Sequence, residues 1–432
     1  MRYQSTRHTG EAAPVTFSHA LRQGLAPDGG LYIPLELPKV AVSETPLSIA
    51  EDAARILAPF FAGDPLESEL GAICKEAFNF PCPLVAVGDG SNEVLELFHG
   101  PTAAFKDFGA RFLAACSARI PSGPEERSDV PRTILVATSG DTGGAVASAF
   151  ATSSGARAFI LFPEGRVSPR QEAQLTAQGD AVTAFAVKGT FDDCQRIVKE
   201  AFGRQDLRSQ LRLTSANSIN VGRLLPQAAY WWHASSQHFR QRGTPVKAVI
   251  PTGNLGHGVA AVWARAVGAP IDTITLALNA NRAVLDVLEH GHADPRLAIP
   301  TLANAMDVGV PSNLERLLSF FGTPEELRAG LDAYSFDDEE IRTGIVATKA
   351  RYGYLPCPHT ACAFLAMDVK GGDGYTLAAT AHPAKFETIV EPLVREQVPL
   401  PPSLAELLSR PQRKQVIEPT LEAFERELSR LA

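Results

Sequence analysis

Twice in this chain a short, continuous run of apolar residues empties into a loop crowded with glycine and hydroxyl side chains, and a helical pattern follows. The first run is Thr133-Ile134-Leu135-Val136-Ala137, which leaves through Thr138-Ser139-Gly140-Asp141-Thr142-Gly143-Gly144 into a helix over Ala145–Phe150. The second is Val246–Ile250, which leaves through Pro251-Thr252-Gly253-Asn254-Leu255-Gly256-His257-Gly258 into a helix over Val259–Val267. A run that is apolar at every position, rather than at alternate ones, suits a strand covered on both faces. Strands of that kind alternating with helices imply a parallel sheet flanked by helices. Loops at the carboxyl ends of such strands are where open α/β sheets bind ligands.

The same rhythm extends along the chain. Strands are expected at Ala158–Phe162, Ala181–Val187, Ile274–Leu278 and Tyr375–Ala379. Helices are expected at Ser168–Gln178 and Thr190–Phe202, opened by capping Ser168 and Thr190. One long helix is expected over Asn217–Phe239, and mostly helix over residues 310–350 and in the tail beyond about residue 400. Before residue 90 lie a turn followed by a short strand within Gly24–Pro34, a helix within Pro46–Phe61 and a strand at Cys82–Val87.

Composition narrows the function classes. The chain has 432 residues and a formal net charge of −8, so there is no excess of basic residues of the kind nucleic acid demands. No apolar run reaches the roughly 20 residues needed to cross a bilayer, and Met1–Glu11 has no apolar stretch behind a charged start. A cytoplasmic protein is the expectation. The cysteines at 74, 82, 116, 194, 357 and 362 form no C-x-x-C pair and do not cluster with histidines at zinc spacing. They read as reduced and buried, and no metal site is expected.

One lysine stands out. Val94, Leu95, Leu97 and Phe98 lead through His99-Gly100-Pro101-Thr102 into a helical pattern carrying Phe105, Phe108, Phe112 and Leu113, and Lys106 sits near its start. Apolar surroundings and the positive end of a helix both disfavour an ammonium. A neutral amine there can attack a carbonyl to form a Schiff base. The alternative is a surface lysine with its stem along an apolar face.

The loops supply complementary features. Gly253–Gly258 leaves backbone N–H groups bare at a helix start, an anion site that suits a phosphate monoester. It lacks the Lys-Ser/Thr ending of a nucleotide loop and a convincing G-x-G-x-x-G spacing. In Thr138–Gly144, Ser139, Asp141 and Thr142 offer side chains beside open amides, which suits a carboxylate or a second phosphate, with an N-cap that Asp141 or Thr142 could supply as the plainer alternative. Asn217, Asn220 and Arg223 offer an amide-and-guanidinium set, with Asn220 and Arg223 three apart and expected to share a helix face, and a helix cap plus a surface arginine as the equal alternative. Thr380 leaves a strand with a hydroxyl that could meet a ring nitrogen. An amine in an apolar pocket, a phosphate cradle and a hydroxyl for a ring nitrogen are what pyridoxal 5′-phosphate requires.

The ordered stretches HGPTAAFKDFGARF, ATSGDTGGA, SPRQEAQLTAQG, KGTFDDCQ, NSINVGR, PTGNLGHG, SNLER and TAHPAKF, with YQSTR and GLAPDGGLYIP near the start, resemble the threonine synthase family. That family lies within the tryptophan-synthase-β-like pyridoxal phosphate enzymes. The resemblance implies two α/β lobes with the cofactor between them, plus a small N-terminal region and a helical insertion and tail. The expected division is residues 1–92, a first lobe at 93–240 carrying the lysine, a second at 241–395 carrying the phosphate loop with an insertion at about 310–350, and a tail at 396–432.

It further implies conversion of O-phospho-L-homoserine and water to L-threonine and phosphate. Lys106 would be the Schiff-base lysine. Gly253, Asn254, Leu255, Gly256 and His257 would hold the cofactor phosphate, and Thr380 would face the ring nitrogen. Thr138, Ser139, Asn217, Asn220 and Arg223 would serve the substrate carboxylate and phosphate. His257 stands where asparagine or aspartate is expected. Asp141 stands where related enzymes place an asparagine beside the ring oxygen, so it receives no role, nor do His359, His382 and Lys385. Rival readings are a phospho-lyase on the same scaffold releasing 2-oxobutyrate, and a non-catalytic binder that kept the fold. Monomer and homodimer both remain open.

Overall fold

The computed structural model describes all residues except 11, 121–131, 139, 152–155 and 432. Two sheets organise the chain. The larger has six strands in the order Asp332–Ser335, Ile271–Leu278, Val246–Pro251, Tyr375–Ala379, Asn92–Glu96 and Leu84–Val87. All its pairings are parallel except the hairpin between Leu84–Val87 and Asn92–Glu96. The smaller has five strands in the order Gln415–Ile417, Val182–Val187, Ala156–Pro163, Arg132–Ala137 and Leu213–Thr214, all parallel. The expected class, an α/β chain of two lobes built on mostly parallel sheets, is the observed one.

Sheet membership departs from the expected division. The strand Asn92–Glu96, assigned to the first lobe, pairs in register with Tyr375–Ala379 in the larger sheet. The tail is not wholly helical, since Gln415–Ile417 adds an edge strand to the smaller sheet. Residues 310–350 hold the helices Leu314–Phe321, Pro324–Gly330 and Asp338–Tyr352, and between them a strand that closes the edge of the larger sheet.

The N-terminal region pairs Tyr3–Ser5 with Tyr32–Pro34 in a small antiparallel sheet. Its apolar side chains join the same core as the helix Gln227–Arg242, whose Trp231 and Trp232 are fully buried. The helix expected over Asn217–Phe239 is two: Val221–Leu224, then Gln227–Arg242. Pro226 between them cannot donate the hydrogen bond that would continue the first. All six cysteines are buried and unpaired, and no metal-binding group of side chains occurs among the described residues. No helix is long and apolar enough to cross a membrane.

Candidate active site

Three neighbouring strands of the larger sheet run parallel, so their carboxyl ends share one edge. From Asn92–Glu96 the chain turns into the helix Lys106–Arg119; from Val246–Pro251 it turns into the helix Gly256–Val267; Tyr375–Ala379 ends at Thr380. Ala103 takes a left-handed conformation (φ 53°) before the lysine helix, and Ala104 bridges to Ala381. The Phe105 amide donates to the Thr380 carbonyl at 2.8 Å, fastening the lysine turn to the threonine exit.

A cavity of about 1460 Å³ opens at this edge. Lys106, the loop Thr252–His257, Thr380, Thr138, Asp141, Asn217 and Arg223 all line it. Lys106 is the first residue of its helix, and its amine, 5.9 Å from the centre of the Phe105 ring, makes no hydrogen bond to the described residues. Burial pushes its pKa down to about 8, helped by the positive charges of Arg223 and Lys385 and opposed by Asp141. The expectation of an amine disposed to be neutral rested on apolar surroundings and the positive end of a helix; two nearby cations add to it.

The phosphate loop has the form of an anion cradle. Leu255 is left-handed (φ 60°), which turns the chain sharply into the helix. The backbone N–H groups from Gly253 to Gly258 find no acceptor among the described residues. Asn254 braces the loop: its amide nitrogen donates to Ser218 Oγ at 2.7 Å and its amide oxygen accepts from Ser312 N at 2.6 Å. Asn313 adds a bond to the Asn254 carbonyl at 3.0 Å. Gly253 is required by crowding, because a Cβ there would lie 2.4 Å from Met306 Cα. At Gly256 a Cβ would have its nearest neighbours at 3.5 Å, so tightness within the protein does not explain that glycine.

His257 is buried against Phe105, stacked at 4.9 Å, with Tyr230 and Trp231 on its other sides. Burial pushes its pKa down to about 3, so its ring is neutral at ordinary pH. Thr380 is buried, and its hydroxyl makes no hydrogen bond to the described residues. These are fitting surroundings for pyridoxal phosphate: bare amides for its phosphate, a free hydroxyl for its ring nitrogen and a free amine for its carbonyl carbon.

The substrate side is less as expected. Arg223 lines the cavity, almost wholly buried; one Nη donates to the Ala216 carbonyl and its Nε has no partner among the described residues. Burial pushes its pKa down to about 10, which leaves it charged at neutral pH. It can sit beside Lys106 because Gly109 has no side chain, a Cβ there lying 2.6 Å from the Arg223 carbonyl. Asn217 lines the cavity with its side chain open. Asn220 does not line it and does not share a helix face with Arg223. It caps the helix Val221–Leu224: its Oδ1 accepts from Gly222 N, and its Nδ2 donates to the Leu21 and Ser215 carbonyls.

Thr138 does line the cavity, but its hydroxyl accepts from Gly140 N at 3.0 Å and Gly143 N at 2.9 Å, which makes it the cap for the helix Asp141–Ala151. Ser139 lies outside the described residues.

Two residues carry more than the sequence suggested. Lys385 is fully buried, pairing with Asp141 Oδ1 at 2.8 Å and donating to the Thr102 carbonyl at 2.8 Å. Burial pushes the Asp141 carboxyl up, but Lys385 and Lys106 more than offset it and hold it below the usual carboxylate range. Arg316 is fully buried and donates to the Tyr32, Ser218 and Ile219 carbonyls and to Asn313. It thereby holds the turn carrying Asn217 and Ser218. His359 lines the cavity, its Nε2 accepting from Ala305 N at 3.1 Å, and burial pushes its pKa down to about 4. His382 caps the turn Pro383–Phe386.

Comparison with known proteins agrees with this geometry. Residues 94–375 match the family model "Pyridoxal-phosphate dependent enzyme", which sets the class and the cofactor. Residues 2–78 match "Threonine synthase N terminus" and residues 360–427 match "Threonine synthase, C-terminal". The chain is 38% identical to the threonine synthase of Serratia marcescens, over 90% of this chain and 91% of that one, and 39% identical to that of Haemophilus influenzae over the same shares. A crystal structure of threonine synthase from Escherichia coli superposes with TM-score 0.88 at 35% identity, covering all of both chains. A pyridoxal-phosphate-bound threonine synthase from Brucella melitensis gives TM-score 0.91 at 34% identity, covering 100% of this chain and 99% of that one. The chain belongs to the threonine synthase family of pyridoxal-phosphate-dependent lyases.

Proposed function

We propose that the substrate is O-phospho-L-homoserine, which the enzyme converts with water to L-threonine and phosphate. The observation that carries this is the meeting of a free amine, bare loop amides and a buried guanidinium in one cavity: Lys106, Gly253–His257 and Arg223. One anion site serves the cofactor and leaves Arg223 for the phosphate of the substrate. Lys106 would hold the cofactor through its amine, the amides of Gly253, Asn254, Leu255, Gly256 and His257 its phosphate, and Thr380 its ring nitrogen. When bound, pyridoxal phosphate supplies an electron sink for the bond broken at the substrate α-carbon.

The residues of the chain do the rest. Once free, the Lys106 amine accepts the protons given up at the α- and β-carbons and returns protons to the γ-carbon and, after water has given its hydroxyl to the β-carbon and its proton to the departing phosphate, to the α-carbon; burial and neighbouring cations keep it basic enough to accept and acidic enough to give back. Arg223 grips the leaving phosphate with its planar fork. Asn217 and Ser139 take the remaining anionic oxygens of the substrate. Thr138 acts by holding the amides of Gly140 and Gly143 at the start of the helix Asp141–Ala151, and Asn220 by capping the helix that carries Arg223. A hydroxyl at Thr380, rather than an acid, hydrogen-bonds the ring nitrogen without handing it a full charge.

The test has two parts. Borohydride reduction of the holoenzyme followed by peptide mapping should place the cofactor on Lys106. Turnover of O-phospho-L-homoserine should then yield threonine and phosphate in equal amounts. An adduct on another lysine, or 2-oxobutyrate in place of threonine, would overturn the reading.

A further inference from the structure

Lys385 is a second buried lysine within the site, and the reaction as described gives it nothing to do. It is fully buried, and its amine is already engaged by Asp141 and the Thr102 carbonyl. It comes from the turn Pro383–Phe386, just after Thr380 leaves the larger sheet, and reaches across to Asp141 at the first turn of the helix that follows the smaller sheet. Asp141 bears on both lysines: it lines the cavity with Lys106 and favours that lysine's charged form, yet its Oδ1 is taken by Lys385 at 2.8 Å, with Gln171 Nε2 at 3.3 Å. A buried carboxylate seeks a cation, and one stripped of its partner is costly. Without Lys385, the ammonium nearest to hand on the cavity side would be that of Lys106.

We propose that Lys385 is a positioning residue for Lys106: by occupying Asp141 from behind, it stops that carboxylate from pinning the Lys106 side chain as an ion pair and so leaves the amine free to react. The charges around Lys106 bear on this from several elements. Asp141 favours its charged form, while Arg223 and Lys385 disfavour it. His359 faces the same cluster and is neutral, and the aromatic-packed His257 is neutral too. The geometry also explains an aspartate where an asparagine beside the cofactor would avoid repulsion: the carboxylate arrives already neutralised by Lys385. The inference rests on the reading of Lys106 as the cofactor-holding amine.

The experiment follows the amine itself, without cofactor or substrate. In the full-length chain stripped of cofactor, competitive acetylation of Lys106 is measured against pH by peptide mass spectrometry. Native protein should show half-maximal reactivity near pH 8. In Lys385→Met the midpoint should rise by about one unit, a roughly tenfold loss of reactivity at a fixed pH below it. The double variant Lys385→Met/Asp141→Asn should return towards the native midpoint, and Lys385→Arg should keep it. Asp141→Asn alone, which covers the case of a Lys385→Met chain that does not fold, should move the midpoint down. An unchanged midpoint in Lys385→Met, or an upward or absent shift in Asp141→Asn, would overturn the proposal. An adduct found elsewhere than Lys106 in the borohydride experiment would instead remove the functional reading, so the two failures are distinguishable.

Discussion

The proposed cofactor side and the proposed substrate side of this cavity are built differently. On the cofactor side, three adjacent strands deliver the lysine helix, the phosphate loop and Thr380 to one sheet edge, and their relative positions follow from hydrogen-bonded register. On the substrate side, Arg223 and Asn217 come from a short helix and the turn before it, held by Arg316, Asn313 and the cap of Asn220. A sheet edge fixes geometry through backbone pairing, which few substitutions disturb. A braced turn fixes it through side chains, each of which can be lost singly. Changes on the first side should therefore be read in the cofactor's absorbance, and changes on the second in substrate kinetics with that absorbance intact.

The largest expected effect is Lys106→Ala, which should lower turnover by about a thousandfold or more while leaving the melting temperature near native. Residual reducible adduct at another lysine would break the comparison at its root. Next comes Arg223→Ala, expected to cost about 2–5 kcal/mol in kcat/KM, the range for removing one member of a desolvated charged contact. Arg223→Lys should also be poorly tolerated, because an ammonium lacks the bidentate fork. If either variant loses the cofactor band rather than substrate affinity, the two anion sites are the wrong way round.

Gly253→Ala should be smaller, about 1–3 kcal/mol of stability from forcing a Cβ against the Met306 backbone, with weaker cofactor titration alongside. Gly256→Ala sharpens the contrast: its Cβ meets only ordinary contacts, so a weakened cofactor titration without a stability change would report the approach of the phosphate itself. The smallest is Asn220→Ala, at about 1 kcal/mol of stability for a lost cap. Its KM for O-phospho-L-homoserine should stay native; a selective rise in KM at unchanged stability would restore Asn220 to the substrate.

Much of the cofactor side was legible because its signals are local. The run Val246–Ile250 and the glycines after it specify a strand, a bare turn and a helix within a short stretch, and Lys106 is flanked by its own apolar helix. What escaped is what depends on distant partners. Asp332–Ser335 and Gln415–Ile417 are edge strands without a strong apolar run, and they form because an existing sheet offers them unpaired backbone. Lys385 sits in a recognised stretch, but its meaning lies in Asp141, which only the packing of two lobes brings within reach. Asn220 was open to two readings, a substrate amide and a helix cap, and Gly222 and Pro226 shortly after it are the local signal for a capped, interrupted helix rather than a continuous face.

The strand order has a consequence for how the protein is made. Tyr375–Ala379 lies between Val246–Pro251 and Asn92–Glu96, yet it leaves the ribosome long after both. Until then the larger sheet has a slot in its middle, with two inner strand edges open to solvent and to neighbouring chains. The nascent chain must carry that slot from the completion of Val246–Pro251 until Tyr375–Ala379 emerges, and this central strand closes it from within while bringing Thr380 to the site. Assembly of the cofactor pocket is thus the event that completes the sheet, so truncations ending before residue 375 should collect as aggregates rather than as inactive monomers.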